Sequence, residues 1–277
     1  MNSISSSKSI NLSGNLSVPG DKSISHRSLI IGSLVSGRIE INNLLESEDV
    51  IATAEALKIL GVKINKLNDK WEVFGSGIGN LFGSNYTLNM GNSGTGARLL
   101  MGLVAGSDVE ATFIGDESLS KRPMKRVTTP LKKTGAVIKS QTSNLPIKIQ
   151  GSKIPLPIKY QSPVSSAQVK SSILLAGLSS LGKTTIIEPS LSRDHTERML
   201  KFFGANISTH QLDDMSWEIT LDGIPELNPL NLSIPADPSS AAFPIVSAII
   251  TPNSKIKVEN VCINELRTGL YKTLIEM

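Results

Sequence analysis

The sequence repeats itself about every seventy residues, and this leaves few folds open to it. Four stretches begin with a serine-containing turn and run into small and aliphatic residues. They read KSISHRSLIIGSLVSG, NSGTGARLLMGLVAGS, SSAQVKSSILLAGLSSLG and PSSAAFPIVSAIITPN. Their anchoring serines, Ser23, Ser93, Ser166 and Ser239, stand 70, 73 and 73 residues apart. A β-branched stretch follows each: RIEINN, VEATFIG, KTTIIEP and KIKVENV. A second, amphipathic helical pattern comes next. In the first three copies it ends alike, in LGVKI (60–64), TGAVI (134–138) and FGANI (203–207). Glycine suits the position just past a helix, and the Val or Ile after it opens a strand. The stretches KWEVFG, LPIKIQG and SWEITLDG separate the copies. The unit is therefore β-α-β-α-β-β, which predicts an α/β protein built from stacked copies.

A chain of 277 residues is long enough for two domains. Aromatic residues are only 4% of it, so the core must be aliphatic. In copies one to three the glycine follows the serine by 38, 42 and 38 residues; the same count from Ser239 reaches 277 to 281. The reading therefore expects Met277 to fall inside the fourth copy's second helix, in a truncated chain. The net charge of +4 is too weak to argue for nucleic acid and suits small anionic substrates. The lone Cys262 excludes an intramolecular disulfide and a cysteine zinc cluster, and is expected in a buried strand. The N-terminal segment MNSISSSKSINLSG lacks the apolar stretch of a secretory signal. The apolar run 241–250 is too short to span a bilayer and contains Pro244. These features read as a soluble, cytoplasmic chain without a membrane partner; it is expected to act as a monomer, a state the sequence itself does not reveal.

One stretch invites a different reading. GLSSLGKT (177–184) satisfies the phosphate-loop pattern G-x-x-x-x-G-K-[ST]. Such a loop must follow a strand and open a helix, so that backbone N–H groups cradle the phosphates. Here the helical pattern comes first and the β-branched run follows, which makes the stretch a helix exit with the dipole's negative end. GSGIGNLFG (75–83) likewise lacks the glycine spacing and the helix of a dinucleotide site.

The starts of the first helices are better anion sites. PGDKSISHRS places Lys22, Ser23 and Arg27 in the cap and first turn, with Ser23 the expected cap. A helix start ordinarily prefers acids there, so two cations suggest an awaited anion. GNSGTGAR adds Asn92, Gly94 and Gly96 for close backbone approach, with Arg98 one turn on. SSAQVKS offers Ser165, Ser166 and Gln168 as neutral hydrogen-bonding groups. SLSKRPMKR gathers Lys121, Arg122, Lys125 and Arg126 near a second helix, with Pro123 expected at its first position. In SRDHTER, Arg193 stands beside Asp194, and Asp194 with Glu197 reads as a capping box. His195 reads as a surface or cap residue, His210 as exposed in a polar connection, and His26 as ambiguous.

Taken together, LSVPGDKSISHRS, GNSGTGARLLMGL, TFIGDESLSKRPMKRV, SPVSSAQVKSSILLAGL, SRDHTERML and IPADPSSAAFPIVSA resemble the 5-enolpyruvylshikimate-3-phosphate synthase family in its class II bacterial form. The likeness runs from about Leu12 to Met277. It implies an inside-out α/β barrel: two similar domains of three copies each, helices inside and sheets outside. Residues 21–236 would form the first domain, and 1–20 with 237–277 an incomplete portion of the second. The implied reaction transfers the enolpyruvyl group of phosphoenolpyruvate to the 5-hydroxyl of shikimate 3-phosphate, without metal or organic cofactor. By motif, Lys22 would touch both substrates and act in catalysis. Ser23, Arg27, Ser166 and Arg193 would hold shikimate 3-phosphate, with Gln168 near both ligands. Gly94 and Arg122 would meet phosphoenolpyruvate. The family's acid/base carboxylates belong to the second domain, so none is assigned here and the chain alone is expected not to turn over. Glycine at 94, where tolerant relatives carry alanine, implies a glyphosate-sensitive pocket. Alternatives are the related UDP-N-acetylglucosamine enolpyruvyl transferase, whose loop cysteine has no counterpart in Cys262, and a phosphate-loop kinase.

Overall fold

The computed structural model describes residue 5 and residues 7–277. In chain order, β1 (Ser13–Leu16) precedes a first unit of α1 (Lys22–Gly32), β2 (Ser36–Asn42), α2 (Glu48–Ile59), β3 (Lys63–Leu67) and β4 (Lys70–Ser76). The second unit is β5 (Phe82–Asn89), α3 (Gly94–Ala105), β6 (Asp108–Ile114), the single turn α4 (Glu117–Ser120), α5 (Lys125–Lys133), β7 (Val137–Lys139) and β8 (Ile147–Gln150). The third is β9 (Lys159–Gln161), α6 (Ala167–Gly177), β10 (Lys183–Glu188), α7 (His195–Phe202), β11 (Ile207–Gln211) and β12 (Trp217–Asp222). Then come β13 (Leu232–Ser233), α8 (Pro238–Ile250), β14 (Lys255–Val258) and α9 (Gly269–Glu276).

The repeat is visible in the sheets. Their orders are β13-β2-β4-β3, β5-β6-β8-β7 and β9-β10-β12-β11. In the second and third units the strand before the first helix pairs parallel with the strand after it, β13 takes that parallel place beside β2 in the first, and in all three the last two strands join antiparallel. The first unit takes its opening strand from β13, so the chain's return completes the sheet it began. The parallel pair of β1 and β14 forms a separate two-stranded sheet. The expected α/β architecture is present, but the described strands form separate sheets and close no barrel: no ladder joins one four-stranded sheet to the next.

The first helices fill the interior. Ser25 through Gly32 of α1 are buried without a break, as are Leu99 through Ala105 of α3 and Val169 through Gly177 of α6. Small residues and aliphatics alternate around these helices, so every face can be covered; a helix apolar all round belongs inside. Glycine lets the sheets come close. At Gly75, Gly151 and Gly223, within one residue of the end of the last strand of each unit, an added Cβ would stand 2.3 Å from the Val35 carbonyl, 1.9 Å from that of Val104 and 1.9 Å from that of Ser180. The second helices end as read, with Gly61, Gly135 and Gly204 at φ of +92°, +96° and +102°.

The helix starts depart from expectation in an ordered way. Ser93 and Ser166 cap α3 and α6. Ser23 does not cap α1: the Asp21 carboxylate accepts from the Ile24 N–H at 2.9 Å. Asp237 does the same for α8 through the Ser239 N–H, at 2.9 Å. An aspartate two residues earlier outcompetes the serine because its charged acceptor also meets the positive helix end. The Asp194–Glu197 capping box is absent; Asp194 accepts instead from Arg198 and Asn264, and Glu197 pairs with Lys170. Pro123 lies between α4 and α5 rather than at a helix start, because Met124 is the cap residue of α5. Cys262 is buried but follows an isolated bridge at Val261 instead of sitting in a strand. His210 is exposed as expected, yet it lies in β11.

Candidate functional site

The N-termini of α1, α3 and α6 meet the loop before α7 around a cavity of about 550 Å3. Ser23 and Arg27 of α1, Thr95 of α3, Ser166 and Gln168 at α6, and Arg193 before α7 line it. Two arginines face in, and among the lining residues there is no carboxylate. Three helix starts bring unpaired N–H groups and positive dipole ends toward the same space, a ready environment for an anion.

Arg27 is almost wholly buried, and its fork is fully directed. Nε donates to Thr196 Oγ1 at 2.7 Å, Nη1 to the Ser23 carbonyl at 2.9 Å, and Nη2 to Ser171 Oγ at 2.7 Å. Burial pushes its guanidinium down to about 10, which leaves it charged at neutral pH. Arg193 is held less tightly: Nη1 donates to Ser23 Oγ at 3.4 Å, and burial together with the nearby Arg267 cation lowers its pKa. Gln168 Nε2 donates to Thr95 Oγ1 at 2.9 Å, tying α6 to α3 at the cavity wall. Of the eight residues singled out from the sequence, Ser23, Arg27, Ser166, Gln168 and Arg193 come together here.

Lys22, Gly94 and Arg122 stand outside that lining. Lys22 forms an ion pair with Asp49 of α2. Its cation is therefore already answered by a carboxylate of the protein, where the sequence suggested an awaited anion. Arg122 donates to Asn92 Oδ1 at 2.6 Å, and Asn92 donates to Asp116 Oδ2 at 2.6 Å. Gly94 lies against both neighbouring guanidiniums, since a Cβ there would be 2.8 Å from Arg98 Nη1 and 3.1 Å from Arg122 Nη1. Arg98 donates to the Gly94 carbonyl at 3.0 Å, and its pKa is lowered by burial and then by Arg122 and Arg126. The two groups are neighbours through the chain, because Thr95, beside Gly94, carries the bond to Gln168.

His195 lines the cavity from within instead of capping at the surface: it is 3% exposed, and its Nε2 has no partner among the described residues. Burial, followed by the Arg27 charge, pushes it down to about 4, so the ring is neutral at pH 7. His26 is buried too, its Nδ1 is 2.8 Å from Thr53 Oγ1, and burial pushes it down to about 3. Sequence reasoning missed the supporting partners of the site. Thr196 and Ser171, which orient Arg27, are ordinary helix residues in the text of the sequence. Arg267, from the fourth copy, reaches Asp237 at 3.1 Å and Asp21 at 3.4 Å and joins the starts of α8 and α1. Only Lys170, a charge on a wholly buried helix, carried a signal that was readable. The phosphate-loop match remains a helix exit: α6 ends at Gly177, and Lys183 opens β10, exposed, 3.7 Å from Asp222.

Comparison with known proteins gives the family and the fold. The family described as EPSP synthase (3-phosphoshikimate 1-carboxyvinyltransferase) matches residues 7–277. The 3-phosphoshikimate 1-carboxyvinyltransferase of Parvibaculum lavamentivorans is 53% identical over 268 residues, covering 96% of this chain and 59% of that protein. The protein of the same name from Bartonella quintana is 51% identical over 275 residues, 99% of this chain and 62% of its own length. The solved EPSP synthase of Acinetobacter baumannii superimposes with a TM-score of 0.88 at 41% identity, over 96% of this chain and 60% of that one. The chain thus spans about three fifths of the length of these relatives. Among the described residues no helix is long and apolar enough to cross a membrane. With the family matched across 7–277 and the fold shared with a solved member, this chain belongs to the EPSP synthase family.

Proposed function

We propose that this chain binds shikimate 3-phosphate in the cavity at the starts of α1, α3 and α6, as part of an enzyme that transfers the enolpyruvyl group of phosphoenolpyruvate to the 5-hydroxyl. The single observation carrying the reading is a cavity walled by two arginines, serines and a glutamine with no carboxylate among its lining residues. Ser23, Arg27, Ser166 and Arg193 hold the phosphorylated ring, and Gln168 lies between the two ligands. Arg122 grips phosphoenolpyruvate, with Gly94 giving it room. Lys22 leaves Asp49 to touch both substrates, placing a cation where negative charge gathers as the anions are pressed together. The acid/base roles are assigned to no residue of this chain.

The same reading divides the chain into residues 21–236 and a second body of 1–20 with 237–277. The separate pairing of β1 with β14 supports that division. It also takes the protein to act as a cytoplasmic monomer on small anions.

Calorimetric titration with shikimate 3-phosphate, phosphoenolpyruvate and ATP tests the proposal. Shikimate 3-phosphate is expected to bind and ATP not to. Arg193→Ala should weaken shikimate 3-phosphate at least about tenfold, the loss of one charged hydrogen-bonding group. Binding of ATP, or wild-type affinity in the variant, would overturn the assignment. Glyphosate titrated in the presence of shikimate 3-phosphate checks the room at Gly94, and binding is expected.

A further inference from the structure

We propose that Glu188, held by Lys170, is a positioning residue that sets the two serine-bearing loops of the cavity relative to each other. Neither residue lines the cavity, and both are buried, at 1% and 0% side-chain exposure. Glu188 stands at the end of β10, between the loop entering α6 and the loop entering α7. Its Oε1 accepts from the Ser166 N–H at 2.9 Å. Its Oε2 accepts from the Ser192 N–H at 3.4 Å, and the Ser192 hydroxyl lies 2.9 and 2.8 Å from the two oxygens. Ser166 caps α6, and Ser192 is the neighbour of Arg193. One carboxylate thus spans the two segments that present Ser166 and Arg193.

Lys170 holds the carboxylate in place. Its ammonium meets Glu188 Oε2 at 2.9 Å, Glu197 Oε1 at 2.7 Å and the Ser192 carbonyl at 3.2 Å. Three protons meet three acceptors, so none is left for a substrate. Every partner belongs to α6, β10, α7 or the loop between the last two. A buried charge group of this kind is poor evidence for stability but a strong constraint on geometry, because leaving one member unpaired is costly. Glutamine cannot replace Glu188: donors approach both oxygens, and an amide offers an acceptor on only one side.

The consequence for ligand binding rests on the shikimate 3-phosphate reading, and the test separates the two. In the unliganded chain, Glu188→Gln is expected to speed amide exchange at Ser166 and Ser192 at least tenfold, with Gly96, bonded to Ser93 Oγ, unchanged. At a temperature well below its unfolding midpoint, the variant should bind shikimate 3-phosphate at least tenfold more weakly. Ile149→Val, in the second sheet, should lower the midpoint without altering affinity. If Glu188→Gln does not fold, Glu188→Asp keeps the charge but draws the oxygens back, and should show both effects more weakly. Unchanged exchange at the two amides, or wild-type affinity in a folded variant, would overturn the proposal. Faster exchange in a protein whose wild type ignores shikimate 3-phosphate would support the clamp and sink the ligand assignment alone.

Discussion

Gly94 shows how much of this site rests on single atoms. A methyl group there meets the ends of two flexible guanidiniums, not backbone, so the fold can yield where the site cannot. Gly94 is buried at the start of α3, but the displaced groups are side-chain ends and alanine favours a helix, so Gly94→Ala should change stability by about 1 kcal/mol or less. The same substitution should weaken phosphoenolpyruvate several-fold by displacing Arg122 from Asn92. Thermal melts beside calorimetry distinguish the two effects. The buried histidines give a second residue-scale expectation. Below about pH 6.5 an unfolded chain protonates both rings, whereas the folded one keeps His195 and His26 neutral to about 4 and about 3. Stability is complete above pH 6.5 and is lost as pH falls, by about 1.4 kcal/mol per pH unit for each ring. Glu197, raised by burial against the pull of Lys170, acts oppositely and gains stability as pH falls. Urea midpoints at pH 7, 6 and 5 should therefore decline steeply; a flat series would show the rings are accessible. Arg27 was legible as a candidate site residue because a cation breaks the local rule at a helix start, Ser166 and Gln168 because they offer neutral hydrogen-bonding groups there, and Arg193 only through the resemblance. Thr196, Ser171 and Glu188 were not, because a partner brought from 22 to 169 residues away leaves no mark in its own neighbourhood.

Helices and strands were legible where short-range chemistry decides them. The three glycines past the second helices adopt left-handed backbone, as the C-terminal rule requires. The caps were half legible: serine was the repeated letter, but at α1 and α8 an aspartate two residues earlier takes the N–H. The triplet Gly75, Gly151 and Gly223 was in view as the end of three strands, yet its reason is tertiary, a strand pressed against the exit of the buried helix. Gly151→Ala should cost about 2 kcal/mol or more, since its Cβ would overlap the carbonyls of Val104 and Ser107. Denaturant unfolding measures this, and a neutral result would mean that the sheet slides freely over α3.

Across the whole molecule, the period told most of the architecture, because copies of one unit must bury the same faces. It could not reveal that the sheets stay separate, a matter of edges that never meet in sequence. One helix breaks the pattern of its kin. In α8 only Pro238 and Ala241 are buried, while Phe243, Ile249 and Ile250 are 77%, 58% and 75% exposed. Such a contiguous apolar face should bind an apolar fluorescent dye. Phe243→Ser with Ile250→Ser should reduce that signal while leaving the unfolding midpoint unchanged; undiminished fluorescence would place the dye elsewhere.

The return of β13 to β2 bears on the order in which the protein is made. While a ribosome is still extending the chain, the first module waits with one border of its sheet unmet, because Leu232 and Ser233 emerge some 190 residues after Ile41 and Asn42. During synthesis that bare border is the place where a neighbouring nascent chain would attach.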